Sequence, residues 1–171
     1  MNKLESPNYQ PIAKISRTFG LLGEVQLKPT SRYFEKYIKL SELFISHKDS
    51  NPIPIEIISV KGVGVKEVFK IRGVNSLDQA KIIIGHTILV SVPINDRINQ
   101  ISKDLLNWKV ISISKNYIGR LVDIMWCPAN DVYIIKNHDK EYLIPVVDEF
   151  IKEINYKNKE IVISPIDGLI E

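Results

Sequence analysis

Arg17-Thr18-Phe19-Gly20-Leu21-Leu22-Gly23-Glu24-Val25 stands between two strand-like runs, Ile12 to Ile15 before it and Val25-Gln26-Leu27 after it. Two glycines three positions apart between strands predict a tight turn, because glycine takes positive φ without steric cost. Leu21 and Leu22 fall at the tip, and Lys14, Arg17 and Lys28 surround it. Leucines displayed among cations read as a contact surface. The competing reading is a β-turn whose leucines cap the end of a barrel.

Outward from this turn the same pattern repeats. Short β-branched runs are punctuated by Gly, Pro, Asn and Asp, which predicts an all-β chain built as small barrels or sandwiches. Strands are expected at 11–17, 24–28, 43–47, 54–61, 65–72 and 87–92, and then at 108–113, 119–126, 131–136, 141–146 and 160–164. Ser76-Leu77-Asp78-Gln79 reads as a capping box that opens one short helix through Ile84, with Gly85 closing it in the left-handed conformation. Residues 31–40 fit either a helical turn capped by Ser31 or a loop. Asp148 to Ile154 fit one or two helical turns. Residues 93–104 are polar, begin at Pro93 and have no steady period, so they read as a linker. The expected domains are therefore 8–93 and 104–171.

The totals bound the class. The chain has 171 residues, 44% of them apolar and 25% charged, enough to bury one or two cores and too apolar for bulk disorder. No run approaches the roughly 18 apolar residues of a membrane span. Met1 to Pro7 lack the apolar stretch of a secretory signal. The single cysteine, Cys127, excludes an internal disulfide and a cysteine-based metal site and fits a reducing cytoplasm. Residues 1–95 hold 13 Lys/Arg against 8 Asp/Glu, net +5; residues 96–171 hold 10 against 12, net −2. A basic front half and a slightly acidic back half point to two surfaces with different partners.

No catalytic, metal or cofactor constellation is expected. His47, His86 and His138 are far apart in sequence and none has a partner at metal-ligand spacing. Cys127 sits in Trp-Cys-Pro without an identifiable base. Phosphate-loop, dinucleotide and nucleophile-elbow motifs are absent. Gly20-Leu21-Leu22-Gly23 has the spacing of a KH-domain clamp, but strands rather than helices flank it. Phe44 and Phe69 sit at inward strand positions. Tyr33, Phe34 and Tyr37 interleave with Lys28, Arg32, Lys36 and Lys39, a mixture that suits RNA because rings stack on bases while cations meet phosphates. The alternative there is a solvated loop with half-buried tyrosines.

Taken together the chain resembles the ribosome maturation factor RimM family. Phe19-Gly20-Leu21-Leu22-Gly23-Glu24-Val25 resembles its N-terminal signature, and Gly73-Val74-Asn75-Ser76-Leu77-Asp78-Gln79-Ala80 with Gly85 resembles the helix that closes its first barrel. Asp104-Leu105-Leu106, Gly119 to Ile124, Ala129 to Val132, Ile144-Pro145-Val146 and Gly168-Leu169 resemble its PRC-barrel module. The resemblance implies a translation-factor-like barrel followed by a PRC barrel. It also implies a non-catalytic, cytoplasmic, monomeric assembly factor that binds the immature small ribosomal subunit and a ribosomal protein of its head, with 16S RNA as a further partner. Partner-binding residues are then expected at Arg17, Phe19, Gly20, Leu21, Leu22, Gly23, Lys28, Arg32, Tyr33, Trp108 and Trp126.

Three positions depart from the family pattern: Leu22 replaces an arginine, Ile98 to Ser102 lack the usual paired aromatics, and Asn107 replaces a glycine. Tyr133 is a further hot-spot candidate in place of those aromatics. Two rival readings are a PRC-barrel adaptor docking another protein or a membrane, and a flavin-binding barrel enzyme.

Overall fold

The computed structural model describes residues 7–40 and 42–164. Met1–Ser6 and Gly168-Leu169, both used in the reading above, lie outside the described residues. The chain divides into two compact units, with the division between Ile94 and Asn95. Both are sheets, so the all-β, two-barrel expectation holds.

The first unit contains β1 (Tyr9–Phe19), β2 (Glu24–Pro29), α1 (Phe34–Tyr37), β3 (Leu43–Ser46), β4 (Ile53–Ile55), β5 (Ile57–Lys61), β6 (Val68–Ile71), α2 (Leu77–Ile82) and β7 (Thr87–Ser91). Its seven strands run in the order β4-β3-β7-β1-β2-β6-β5. The two edge strands, β4 and β5, are separated in sequence by Glu56 alone. A sheet whose edges are joined by one residue must curl until they meet, which is barrel closure. The single strand expected at 54–61 is thus one extended run that bends at Glu56. Its first part pairs with β3 and its second with β6. The bend is tied down by the Arg72 amide on the Glu56 carbonyl at 2.8 Å and by an Arg72–Glu56 ion pair at 2.6 Å. That pair holds the Glu56 carboxyl below its ordinary range.

Helix α2 follows its capping signal. The Ser76 hydroxyl accepts the Gln79 amide at 3.2 Å. The Gln79 side chain returns the bond one residue early, accepting the Asn75 amide at 2.6 Å. Gly85 has φ +81° and donates its amide to the Ile15 carbonyl at 2.8 Å, which stitches the helix end to β1. Residues 31–40 resolve as a turn on Ser31 leading into α1, whose Phe34 and Tyr37 are buried. The strand expected from residue 65 starts only at Val68, because Gly64–Lys66 form a 3-10 turn.

The second unit opens with 3-10 turns at Arg97–Ile101 and Lys103–Leu105. Its strands are β8 (Lys109–Ser112), β9 (Tyr117–Met125), β10 (Val132–Asn137), β11 (Lys140–Pro145), β12 (Ile151–Asn155) and β13 (Glu160–Ile163), in the order β11-β10-β9-β8-β13-β12. Again the edge strands, β11 and β12, are consecutive. Leu121, Tyr133, Ile135, Ile144, Ile161 and Ile163 fill the interior with no exposed surface. Asn107 adopts φ +68°, the left-handed turn open to asparagine in place of glycine. The helical expectation for 148–154 is half corrected: one turn closes with the Ile151 amide on the Val147 carbonyl at 2.9 Å, and the chain then becomes β12. Pairing with β13 satisfies that backbone better than a short isolated helix would.

Residues 97–105 are more than a polar tether. Ile98 and Asn99 are buried, and the hydroxyl of fully buried Tyr133 donates to the Gln100 carbonyl. Burial raises the Tyr133 phenol far above its ordinary range, so that donor stays protonated. We propose that the second domain begins near residue 95. Burying Ile98 is worth about 2 kcal/mol and the tyrosine bond about 1 kcal/mol. A fragment from residue 104 should therefore melt well below one from residue 95. Equal melting by circular dichroism would make 95–103 a plain tether.

Candidate functional site

The β1–β2 turn is set by backbone geometry. Gly20 has φ +62° and Gly23 φ +80°. A Cβ on Gly23 would lie 2.5 Å from the Val74 carbonyl oxygen, so this position takes glycine for space as well as for angle. The Leu21 carbonyl accepts the Leu77 amide at 3.1 Å, and the Lys70 ammonium donates to the Leu22 and Val74 carbonyls. The bonds made to the turn itself, at Leu21 and Leu22, use its main-chain carbonyls. The side chains are left facing solvent: Leu21 is 75% exposed, Leu22 67% and Phe19 51%. The leucines do not cap the barrel interior. Rigid backbone presenting an apolar tip is the geometry of a docking element.

Beside it, on the β1–β2 hairpin, Arg17 and Lys28 are exposed. The Arg17 Nε donates to the Gln26 side-chain oxygen, which fixes the guanidinium against the sheet. Both cations line a cleft of about 530 Å³ whose other walls come from α1 and the loop before β6. Gly62, at φ +90°, lets that loop fold back, since a Cβ there would meet the Lys66 carbonyl at 2.5 Å.

The basic-aromatic cluster expected over 28–39 does not form as such. Phe34 and Tyr37 belong to the core, with Phe34 edge-on to Phe69 at 6.3 Å. Tyr33 and Arg32 remain half-buried, and Tyr33 packs on Tyr37 at 6.4 Å. Lys36 covers the Tyr37 ring at 4.6 Å. The spacing 34, 37 was the helical signal that could have assigned both rings inward.

In the second unit the two tryptophans part company. Trp108 is only 9% exposed and packs edge-on against Tyr156 at 5.2 Å, so its assignment as a contact residue is corrected to core. Tyr133 is likewise core. Trp126, the residue after β9, is 54% exposed. The register of β9, β10 and β11 sets Val132 between Met125 and Pro145, and Ile134 beside Leu143. Met125 and Leu143 are exposed there on the face of Val132 and Ile134, an apolar strip that sequence reading missed because its members lie on separate strands.

His47 and His86, separated by the chain, meet edge to face at 4.6 Å. Among the described residues no group of three His, Cys, Asp or Glu is placed to hold a metal ion. Among them also, no helix is long and apolar enough to cross a membrane.

Two family models match in order: the RimM N-terminal domain over residues 11–93 and the RimM PRC barrel domain over residues 102–169. A ribosome maturation factor RimM of Alkaliphilus oremlandii is 31% identical, covering 94% of this chain and 96% of its own. The chain belongs to the RimM family. Another RimM, from Clostridioides difficile, is 28% identical over 94% of this chain and 95% of its own. The crystal structure of a Pseudomonas aeruginosa RimM overlays 94% of this chain and 99% of its own with TM-score 0.44 at 19% identity.

Proposed function

We propose that this protein is a cytoplasmic ribosome assembly factor that binds the immature small subunit and assists maturation of its head and processing of 16S RNA. It works by binding rather than by catalysis. The observation that carries this reading is the ordered match of both RimM domains, together with near full-length relatives named as ribosome maturation factors. The exposed Phe19-Leu21-Leu22 tip supports it, because apolar side chains on a rigid turn are stabilised when a partner covers them. In mechanism, the protein would hold one arrangement of the head and so lower the population of misfolded RNA states.

The two units divide the labour. The basic first unit meets RNA phosphate through Arg17 and Lys28, which line one cleft, and through Arg32 and Tyr33 at the start of α1. The apolar strip at Met125 and Leu143, and the exposed Trp126, lie in the half of net charge −2, which attracts a basic head protein and repels phosphate. Co-sedimentation with separated 30S, 50S and 70S particles tests the proposal. The protein should pellet with free small subunits, less so as salt rises, since phosphate contacts release counterions. Equal association with complete ribosomes would contradict it.

A further inference from the structure

The cleft on the first unit has a chemistry that a general phosphate-binding surface does not need. Its floor is apolar, made by Leu27, Phe34 and Phe69. Its charges are segregated: Arg17 and Lys28 come from the β1–β2 hairpin, Glu35 from α1 and Glu67 from the residue just before β6. Among the described residues the side chains of Lys28, Glu35 and Glu67 have neither an ion-pair nor a hydrogen-bond partner. Arg17 uses its Nε on Gln26, which leaves its two terminal nitrogens pointed at no protein acceptor.

Cations and carboxylates that line one cleft without pairing are set for a ligand carrying both signs of hydrogen-bonding group. Inorganic phosphate is a poor fit, because two carboxylates would repel it. An aliphatic ligand would leave four charged groups unsatisfied. A flat heterocycle with an attached phosphate satisfies all of them: the ring covers the apolar floor, the phosphate meets the cations, and ring N–H groups meet the carboxylates. Guanine is the base whose Watson–Crick edge offers two adjacent donors, the N1–H and the N2 amine, which one carboxylate accepts together. The volume, about 530 Å³, lies within the ordinary range of ligand pockets.

We propose that this cleft is a pocket for a single unpaired guanosine of RNA, its base edge read by Glu35 and Glu67 and its phosphate held by Arg17 and Lys28. This rests on the small-subunit reading and names the RNA feature the first unit recognises. Splayed-out bases are what single-stranded RNA offers to such pockets. Carboxylates at the rim also discriminate against double-stranded RNA, whose guanine edges are already paired.

The test is fluorescence anisotropy of the full chain with single-stranded uridine oligomers of about seven nucleotides carrying one guanosine, one inosine or none. The guanosine oligomer should bind about ten-fold tighter than the inosine oligomer, because losing the N2 amine removes one hydrogen bond to a charged group. Glu35→Gln with Glu67→Gln should abolish that preference. Lys28→Ala should weaken all three oligomers alike and flatten the salt dependence. Circular dichroism checks that these surface variants stay folded. Equal binding of the three oligomers by the parent, or a preference that survives the double carboxamide variant, overturns the proposal. Co-sedimentation, run in parallel, separates the two ideas: subunit binding without guanosine preference sinks the cleft alone, and guanosine preference without subunit binding sinks the ribosome reading alone.

Discussion

Replacing Leu21 and Leu22 together by serine is expected to weaken association with small ribosomal subunits by about a hundred-fold, while the melting temperature stays within a few degrees of the parent. Fully covering a leucine side chain is worth about 1.5–3 kcal/mol, and these two are largely uncovered in the free protein. Losing about 3 kcal/mol of that contact corresponds to about two orders of magnitude in Kd. Stability should hold because the bonds that fix the turn come from the main chain: the Leu77 amide on the Leu21 carbonyl and the Lys70 ammonium on the Leu22 carbonyl. Serine leaves both in place. Sedimentation binding and a thermal melt on the same preparation decide the matter. Unchanged binding would remove the turn from the interface, and unfolding would make the leucines part of the core after all.

Gly23→Ala is expected to act in the opposite manner, on stability first. A non-glycine residue at φ +80° carries a strain of about 1–3 kcal/mol. The added methyl would also sit 2.5 Å from the Val74 carbonyl, a main-chain atom that cannot rotate away. Together these should lower the melting transition of the first unit by roughly 10 °C or more and leave that of the second unit unchanged, since each has its own core. Gly20→Ala provides the internal comparison. Its φ is also positive, but the nearest atom to its Cβ would be a Glu24 carboxylate oxygen at 3.9 Å. It should therefore show the strain alone, about 1 kcal/mol. Equal melting of the two alanine variants would mean that the Val74 contact relaxes and adds nothing.

Local signals were readable wherever the competing forces were local. Ser76 and Gln79 announced α2, and the hydroxyl cap is present as expected. Gly20 and Gly23 announced the turn. Asn107 was admissible as a left-handed residue and is one. Asp148 to Ile154 misled because a short stretch with helical propensity forms one turn and is then recruited by β13, whose backbone needed a partner. Trp108 and Trp126 look alike in sequence, both beside a strand and both near turns. Only packing against Tyr156 distinguishes the buried one from the exposed one.

The sequence by itself determined the fold class, the two-part organisation and the turn that carries the exposed leucines, because period-two patterning, glycine spacing and capping chemistry act over a few residues. Only the tertiary structure decided which side chains share a surface. Barrel closure through Glu56, the meeting of His47 with His86, the apolar strip of Met125 and Leu143, and the cleft uniting Arg17 and Lys28 with Glu35 and Glu67 all depend on strand register and on curling of the sheets. Those are set by the summed packing of residues far apart in the chain, and no window of sequence contains them.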